Sequence, residues 1–557
     1  HQEFLLLLLL FVTLRLMLLV ISRPQGYFYD ASDYDFYLEF GKLADRGLYP
    51  MLHYWTEYPP VFPWAAVAAY RAVEAIPNLN GSPIFWFRIV LGSGLLLFDV
   101  GNLILIYWLG RAIFTPARAI QIGWSYALLF APLHVWLGWF DTSPLFFLLL
   151  SVALTVSGRH QLAAVASGFG FMVKVFPILT MPLIMKSERR PAGRAKLLAA
   201  CALIVGAIAA PFMVMAPAYL LASFKSMVSR SPWETPWAIL EHYYGYGQVA
   251  PLQDRTDPAS ASFVAYPSHL PWPLISLTFA LIFILIWTRP FDARRPLNAV
   301  TFTGLSVNLF LLYSRGYSPQ FLVYLVPFAL LSLPAFRSVA YISVLSAINL
   351  IEYPAYLTLF RGQNWLLTDL VAMRTAILLL LCWEYLATLQ LLPSFQLARR
   401  TAAAVTAGIF VLWAILSYPA AGQAWEQNSL TQHPDAALVA YLQANAGQGS
   451  VVVFTDQYLY RELYPYLYES THLVLMDPAT EQQVVSNSGV GSPAKEGGPT
   501  MVEQLALLST QYREIYGVRQ MDDLNGNRLE QLLAFVGRLE AGRRINDLSV
   551  SRWAIGR

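Results

Sequence analysis

The stretch "FLLLLLLFVTLRLMLLVI" (4–21) begins the chain with an almost unbroken apolar run. A run of this length crosses the hydrocarbon core of a bilayer as one helix. Comparable runs recur at 89–110, 197–222 and 272–287, and the chain is 57% hydrophobic and only 13% charged, with a mean hydropathy of +0.48. The length rule predicts an α-helical polytopic membrane protein with about ten to thirteen transmembrane helices.

The basic residues are concentrated in short loops between the apolar runs, at 186–196, 289–295 and 397–400. The positive-inside rule places such loops in the cytoplasm. The first long loop (22–83), the second long loop (223–271) and everything after about 419 are then predicted to face outward. The basic residues form no stripe with interleaved aromatic residues, so the pattern excludes a nucleic-acid-binding protein.

The sequence carries few signals of signal-peptide cleavage or of disulfide formation. No small-residue cleavage site follows the first run, which predicts a retained signal-anchor helix. Cys201 and Cys382 lie inside apolar runs, where a thiol packs as a small hydrophobic group. No disulfide framework is predicted.

One apolar segment breaks the alternation of outward and inward helices. "LAAVASGFGFMVKVFPILTMPLIM" (162–185) should cross the membrane once, yet the basic loop after it belongs inside. Lys174 and Pro177 interrupt the run. Broken helices at membrane depth occur where protein buries them or where they line a cavity. We predict a kinked or re-entrant hairpin that points into a cavity.

After about residue 420 the sequence becomes more polar, with the composition of a water-soluble domain. This change predicts a membrane domain at 1–420 and a separate domain at 421–557. In the second domain short β-rich runs alternate with helical patterns, as in a small α/β domain. The predicted strands are 450–455, 471–476 and 512–518, and the predicted helices are 434–445, 457–468, 500–510 and 527–541. The Gly-, Ser- and Pro-rich segment 486–499 is predicted to be a mobile loop.

The first long loop carries an unusual group of acids in "YDASDYDFYLEFGKLADRGLYP" (29–50). Ser32 is a favoured N-cap, and Asp33 and Asp35 would then lie in the first turn of a helix, where its dipole stabilises them. Gly47 is a C-cap candidate. A second helix is predicted at 61–76, and the pair would present the acids at the membrane boundary.

Several charged residues lie in or beside the apolar runs. An intramembrane charge such as Lys174 is costly and is by default a functional-site hypothesis. Arg315 stands on an outer turn, and Arg binds phosphate bidentately. Asp141 is placed to cap the helix that follows it. For Asp99 we predict a buried structural hydrogen bond with Asn102 or with a facing helix.

Three motifs of the first long loop, Asp33-x-x-x-Tyr37, Gly47-x-Tyr49-Pro50 and Glu57-Tyr58-Pro59-Pro60, resemble bacterial membrane glycosyltransferases of the C-type (GT-C) superfamily. The likeness is to the branch that uses polyprenyl-phosphate sugars, especially mannose. Further matches lie at 134–150, 167–183 and 314–328, in the same order, and the resemblance covers about residues 1–420.

The resemblance implies transfer of a hexose, mannose by analogy, from a polyprenyl-phosphate donor to a glycan, lipid or protein acceptor, with inversion. Asp33 would be the general base, with Asp35 as the second candidate, and Lys174 and Arg315 would bind the donor phosphate. The remaining substrate-pocket residues would be Tyr37, Glu57, Tyr58, His134, Asp141 and Gln320. The protein would lie in the bacterial cytoplasmic membrane, with its active site and C-terminal domain on the extracytoplasmic side.

Alternatives remain open at this stage. No cofactor and no metal are predicted, although Asp33-Tyr34-Asp35 also spells the D-x-D pattern that binds a divalent metal in other glycosyltransferases. A lone His134 is more often a packing residue than a ligand. The chain is alternatively a non-catalytic subunit of a larger membrane assembly, or a lipid-linked-sugar transporter or flippase. The sequence shows no internal repeat, which counts against a transporter.

Overall fold

The computed structural model describes residues 2–21, 32–76, 83–356, 360, 363–393, 395–427, 436–447, 449–455, 460, 463, 467, 472–477, 482–486, 501–520, 526–545 and 548–555. The chain forms two compact units. The membrane unit comprises His1–Pro77 and Phe87–Ser417, and the C-terminal unit comprises Asn78–Trp86 and Tyr418–Arg557.

Apolar helices build the membrane unit, and two of them, Pro83–Ile113 and Gln396–Gln427, extend across its boundaries in the chain. Its first half contains α1 Gln2–Ile21, α2 Ser32–Asp45, α3 Val61–Glu74, α4 Pro83–Ile113, α5 Pro116–Leu128, α6 Phe130–Gly138, α7 Thr142–Val156, α8 His160–Phe171, a 3-10 helix Phe176–Thr180 and α9 Met181–Ser187. Its second half contains α10 Pro191–Met215, α11 Pro217–Ser229, α12 Pro236–Leu240, 3-10 helices Leu252–Thr256 and Pro258–Ser262, α13 Trp272–Thr288, α14 Pro296–Tyr313, a 3-10 helix Pro319–Tyr324, α15 Val326–Ser332, α16 Ala335–Leu350, a π-helical turn Ile351–Tyr356, α17 Asn364–Thr388 and α18 Gln396–Gln427.

Seven helices in the described residues are long and apolar enough to cross a membrane. An eighth span results if α5 and α6, which bend by 49° at Leu129, are counted together. With the bent pair counted, the predicted range of ten to thirteen is reached if at least two of the four shorter apolar helices also cross, namely Thr142–Val156, Phe176–Ser187, Trp272–Thr288 and Pro319–Ser332. The polytopic helical class is confirmed.

The segment predicted to be broken is broken at Lys174. α8 ends at Phe171, and the chain resumes in the 3-10 helix Phe176–Thr180. The two arms lie side by side, since the Ser167 hydroxyl donates to the Pro177 carbonyl (2.9 Å) and accepts from the Thr180 hydroxyl (3.0 Å). Gly170 permits this approach, because a Cβ there would lie 2.6 Å from the Pro177 side chain. We call this element, residues 160–187, the Lys174 hairpin.

A buried ion pair ties the first helix to the unit. Arg15 Nε lies 2.7 Å from Asp99 Oδ2, and the Tyr126 hydroxyl donates to Asp99 Oδ1 (2.7 Å). The facing-helix alternative for Asp99 is therefore correct, while Asn102 donates instead to the Thr142 carbonyl. A buried charge persists in an apolar interior when it is paired in this way. No role was predicted for Arg15 from the sequence.

The C-terminal unit contains a six-stranded sheet in the order β3-β2-β1-β4-β6-β5. β1 pairs in parallel with β2 and with β4. β3 pairs antiparallel with β2, and β6 pairs antiparallel with both β4 and β5. Buried apolar residues cover both faces of the sheet. The elements are α19 Ala436–Asn445, β1 Ser450–Phe454, β2 His472–Asp477, β3 Gln482–Ser486, α20 Met501–Gln511, β4 Glu514–Gln520, α21 Gly526–Val536, β5 Arg538–Ile545 and β6 Leu548–Ala554.

The predicted α/β class of this unit is confirmed, with corrections to its elements. The predicted helix 527–541 is wrong beyond Val536, because the chain turns at Gly537 into β5. Strands β3, β5 and β6 were not predicted, and α18 continues to Gln427, past residue 420, where the membrane domain was predicted to end. Most of 457–468 and all of 487–499 lie outside the described residues.

Candidate active site

Asp33 lies at the start of α2, which begins at Ser32 as predicted. The helix dipole stabilises acids in a first helical turn, so Asp33 and Asp35 also have a structural reason to be at this position. Tyr37 follows one turn later, and its hydroxyl donates to Asp33 Oδ2 (3.0 Å). Tyr37 is fully buried, whereas Asp33 and Asp35 are partly exposed. The arrangement orients one carboxylate at a surface that a substrate can reach.

The Tyr37 hydroxyl is a dependable donor. Burial, together with the charge of Asp33, raises the pKa of Tyr37 well above its usual value. The hydroxyl therefore keeps its proton near neutral pH. The helix that carries this pair ends where predicted, with Gly47 in the left-handed region (φ +77°).

Aromatic rings join α2 to the loop before α7. Tyr37 packs edge-on against Phe62 (4.7 Å between ring centroids) and Phe140 (5.9 Å), and Phe62 stacks on Phe140 at 3.6 Å. The Tyr58 ring packs edge-on against Phe140 at 5.0 Å. We call Tyr37, Tyr58, Phe62 and Phe140 the aromatic wall. Edge-on packing is favourable for such rings, and the wall connects Asp33 to the next charged group.

Lys174 is at the other end of the aromatic wall. Its ammonium nitrogen lies 4.8 Å from the Phe140 ring centroid and donates to both carboxylate oxygens of Asp141, at 2.7 and 2.9 Å. The Tyr324 hydroxyl donates to Asp141 Oδ1 at 2.7 Å. Asp141 makes no side-chain capping hydrogen bond to α7. The capping interpretation of Asp141 is therefore wrong, and its carboxylate instead holds the buried amine.

Tyr324 belongs to this site and was not predicted. It lies on the 3-10 helix Pro319–Tyr324 and stacks on Phe176 of the Lys174 hairpin, with 3.8 Å between ring centroids. The sequence offered only a weak signal, since Tyr324 falls inside the motif 314–328 that carries the family resemblance.

A third charged group joins the two long loops. Glu57 Oε2 lies 3.4 Å from Arg230 Nη2. Burial alone would raise the pKa of Glu57, but Arg230, Arg255, a hydrogen bond from Tyr58 and Lys174 together hold that pKa below its usual value. Glu57 and Tyr58 were predicted pocket residues, whereas Arg230 and Arg255 were not, because the second long loop shows no motif around them.

Arg315 lies beside this third group. Its guanidinium is over the Trp272 ring (4.3 Å to the centroid) and donates to the Arg230 carbonyl at 3.4 Å. The turn that carries it is attached to the second long loop, since the Trp233 backbone N–H donates to the Arg315 carbonyl (3.2 Å). A Cβ at Gly316 would lie 2.1 Å from the Trp233 ring, so this close contact requires glycine.

The last two predicted pocket residues lie around the Lys174 hairpin. Gln320 precedes Phe321, whose ring centroid is 5.3 Å from Lys174 Nζ. Gln320 Oε1 is buried and accepts no hydrogen bond within the described part of the chain. His134 is buried on α6, where its ring stacks on Phe130 (5.1 Å) and meets Trp139 edge-on (5.2 Å).

Within the described residues, no three His, Cys, Asp or Glu side chains form a group that would hold a metal ion. The absence of a metal requirement and the D-x-D alternative at Asp33 and Asp35 both stay predictions.

The fold and the site define a helical membrane protein with a carboxylate, a buried lysine and a set of aromatic rings between them. Residues 55–314 match the model of glycosyltransferase family 87. This match confirms the predicted resemblance to membrane glycosyltransferases, and the matched region includes Glu57, Asp141 and Lys174 but not Asp33, Arg315 or Tyr324.

A solved structure is similar over nearly the whole chain. It is ArnT from Cupriavidus metallidurans bound to undecaprenyl phosphate, at 14% identity and a TM-score of 0.41, covering 98% of this chain and 97% of that one. A likeness this distant assigns neither residues nor substrates. No curated protein matches the sequence.

Proposed function

We propose that the membrane unit is an inverting glycosyltransferase that moves a hexose, mannose in our assignment, from a polyprenyl-phosphate donor to a glycan, lipid or protein acceptor. The observation that carries the proposal is the aromatic wall, which has the partly exposed Asp33 at one end and the buried Lys174 at the other. The match of 55–314 to a glycosyltransferase family supports the reaction class. The proposed location is the bacterial cytoplasmic membrane, with the site and the C-terminal unit on its extracytoplasmic side.

Asp33 is the general base in this proposal. Its carboxylate takes the proton of an acceptor hydroxyl as the oxygen attacks the anomeric carbon, and the bond between that carbon and the phosphate oxygen breaks. The proton remains on Asp33, the bonding electrons leave with the polyprenyl phosphate, and the sugar is joined to the acceptor. Tyr37 orients Asp33 through its 3.0 Å hydrogen bond. Asp35, two residues on, has the supporting role.

Lys174 stabilises the departing phosphate in this proposal. Preorganised cations aimed at developing negative charge are a large source of catalysis. Asp141 holds the amine in place at 2.7 and 2.9 Å, and the Tyr324 hydroxyl donates to Asp141 at 2.7 Å. A lipid-linked phosphate reaches a hairpin buried among apolar helices through the bilayer, which favours this donor over a water-soluble nucleotide sugar. Arg315 is the second phosphate ligand, and His134 and Gln320 complete the pocket.

Purified full-length protein in liposomes tests the donor class. We expect transfer of mannose from polyprenyl-phosphate mannose to an octyl α-mannoside acceptor, and none from GDP-mannose. EDTA should leave the rate unchanged, since no metal takes part in the proposed step. Polyprenyl-phosphate glucose and galactose serve as matched donors that test the sugar assignment. Transfer from GDP-mannose alone, or loss of transfer in EDTA, would contradict the proposal in its donor or in its metal independence.

A further inference from the structure

The two long loops meet at a charged group that lies outside the membrane spans. Glu57 comes from the first long loop, and Arg230 and Arg255 come from the second. The loops are directly joined here, since the Trp55 backbone N–H donates to the Arg255 carbonyl (3.1 Å) and the Trp55 indole donates to the Ser260 hydroxyl (2.8 Å). The group is therefore a built junction and not a chance surface pair.

Of the two arginines, Arg255 is the more deeply buried. Arg255 is only 3% exposed, and its Nε donates to the Ala250 carbonyl at 2.7 Å. Its guanidinium lies over the Trp55 and Phe36 rings, at 4.8 and 5.1 Å from the centroids. A guanidinium packed between rings in this way is fixed in place. Arg255 is a buried positive charge that favours an ionised Glu57.

Glu57 and Arg230 are less buried than Arg255. Their side chains are 14% and 23% exposed. Arg230 Nε donates to the Gly247 carbonyl (2.7 Å), and the guanidinium lies 4.5 Å from the Trp233 ring centroid, so its orientation is set while other N–H groups are left over. Glu57 Oε2 is itself buried, is paired with Arg230 by charge and makes no hydrogen bond in the described part of the chain, while the carboxylate also accepts a hydrogen bond from Tyr58. The unsatisfied oxygen is an acceptor that a ligand hydroxyl would satisfy.

The chemistry of this pair selects a ligand class. A phosphate would meet the Glu57 carboxylate at the same place as the Arg230 guanidinium, and like charges repel. A sugar carries adjacent hydroxyl groups that donate to a carboxylate and accept from a guanidinium. The Tyr58 ring, next in sequence, offers an apolar face for the ring of such a sugar.

We propose that Glu57 and Arg230 form an acceptor subsite that binds the hydroxyl groups of a neutral sugar residue, with Arg255 as a positioning residue behind Glu57. The inference rests on the proposed glycosyltransferase function and assigns the acceptor end of the same site. The position fits an acceptor, because the subsite is made by loops, whereas Lys174 lies in the apolar hairpin that would take the lipid donor. Tyr58 connects the two, with its ring 6.2 Å from that of Tyr37, which holds Asp33.

Glu57→Gln and Arg230→Gln test the subsite in the full-length protein. Each should raise the KM for octyl α-mannoside about tenfold, since each weakens a charge-assisted hydrogen bond. The KM for polyprenyl-phosphate mannose should stay within about twofold, as expected when no donor contact is lost. Glu74→Gln is the matched control, because Glu74 forms a similar but exposed pair with Arg71 (2.7 Å) in the same loop. A rise in the donor KM instead of the acceptor KM would overturn the assignment.

A binding readout separates this inference from the proposed function. Saturation-transfer NMR of octyl mannoside, glucoside and galactoside with the protein in nanodiscs reports sugar binding whether or not transfer occurs. Loss of the signal in Glu57→Gln, with its retention in Glu74→Gln, supports the subsite even if no donor is used. A signal equal in the wild type and in Glu57→Gln, or none with any hexoside, would show that the subsite does not bind neutral sugars.

Discussion

Replacing Asp33 by Asn should lower the rate of sugar transfer by about 10²- to 10⁴-fold, the usual contribution of a general base. Asn is nearly isosteric and still accepts the hydrogen bond from the Tyr37 hydroxyl, which lies 3.0 Å from Asp33 Oδ2. The helix and the aromatic wall should therefore stay intact, and the KM for the donor should change little. The measurement is kcat for mannose transfer by purified protein in liposomes.

Two variants of the same helix are the controls for Asp33→Asn. Asp45 ends α2 and pairs at the surface with Arg71 (2.5 Å), so Asp45→Asn should keep full activity. Asp35→Asn should reduce the rate by about tenfold or less if Asp35 only supports the base, since one neutral hydrogen bond is worth about 1 kcal/mol. Full activity in Asp33→Asn would refute the proposal that Asp33 is the general base. Inactivity confined to Asp35→Asn would assign the base to Asp35.

Replacing Lys174 by Met should destabilise the protein by about 3–5 kcal/mol and abolish transfer. The reason is that Asp141 is fully buried and would lose the partner that binds both its carboxylate oxygens. An uncompensated buried charge costs more than the pair itself contributes. The free energy of unfolding, measured by denaturant titration in mixed micelles, reports the loss.

The double variant Lys174→Met with Asp141→Asn separates stability from function. Removing both charges should restore most of the unfolding free energy, because the buried site is neutral again and Asn still accepts the hydrogen bond from Tyr324. Transfer should remain absent, since the proposed phosphate ligand is gone. An active double variant would refute the proposal that Lys174 binds the phosphate. An unstable double variant would show that the unpaired charge of Asp141 does not cause the loss of stability in Lys174→Met.

The local features of the site could be predicted from the sequence. The Asp33–Tyr37 spacing places the two residues one helical turn apart, and the structure joins them by a hydrogen bond. Lys174 and Pro177 in an apolar run predicted a broken segment, and the chain does fold back there. The apolar runs 4–21 and 272–287 also agree within two residues with the helices Gln2–Ile21 and Trp272–Thr288, because run length and proline positions fix such ends locally.

Partners distant in sequence could not be predicted. Lys174 and Asp141 are 33 residues apart, and Tyr324 is 183 residues from Asp141. Neither pairing leaves a local pattern, since each depends on how several helices pack. The same holds for Arg15 with Asp99 and for Arg230 with Glu57. Buried charge in an apolar sequence indicates that a partner exists without showing which one it is.

Strand β5 was missed for a different reason. Leu529, Leu533 and Val536 have helical spacing, and Leu539 continues it, so the pattern favoured one helix to 541. The helix ends at Val536 because the chain turns at Gly537, where a Cβ would lie 2.8 Å from the Ala554 carbonyl oxygen. The residues of β5 before Ile545 are all exposed, so no alternation of buried and exposed positions marks this edge strand.

The anomeric configuration of the product tests the central claim, direct displacement assisted by one carboxylate base, more directly than any other measurement. Transfer from β-linked polyprenyl-phosphate mannose to octyl α-mannoside should give an α-linked disaccharide, read from the one-bond carbon–proton coupling of the new linkage by NMR. A single attack by the acceptor oxygen inverts the anomeric carbon. A β-linked product would require two displacements or another mechanism, and would contradict the assignment of Asp33 as a base acting on the acceptor.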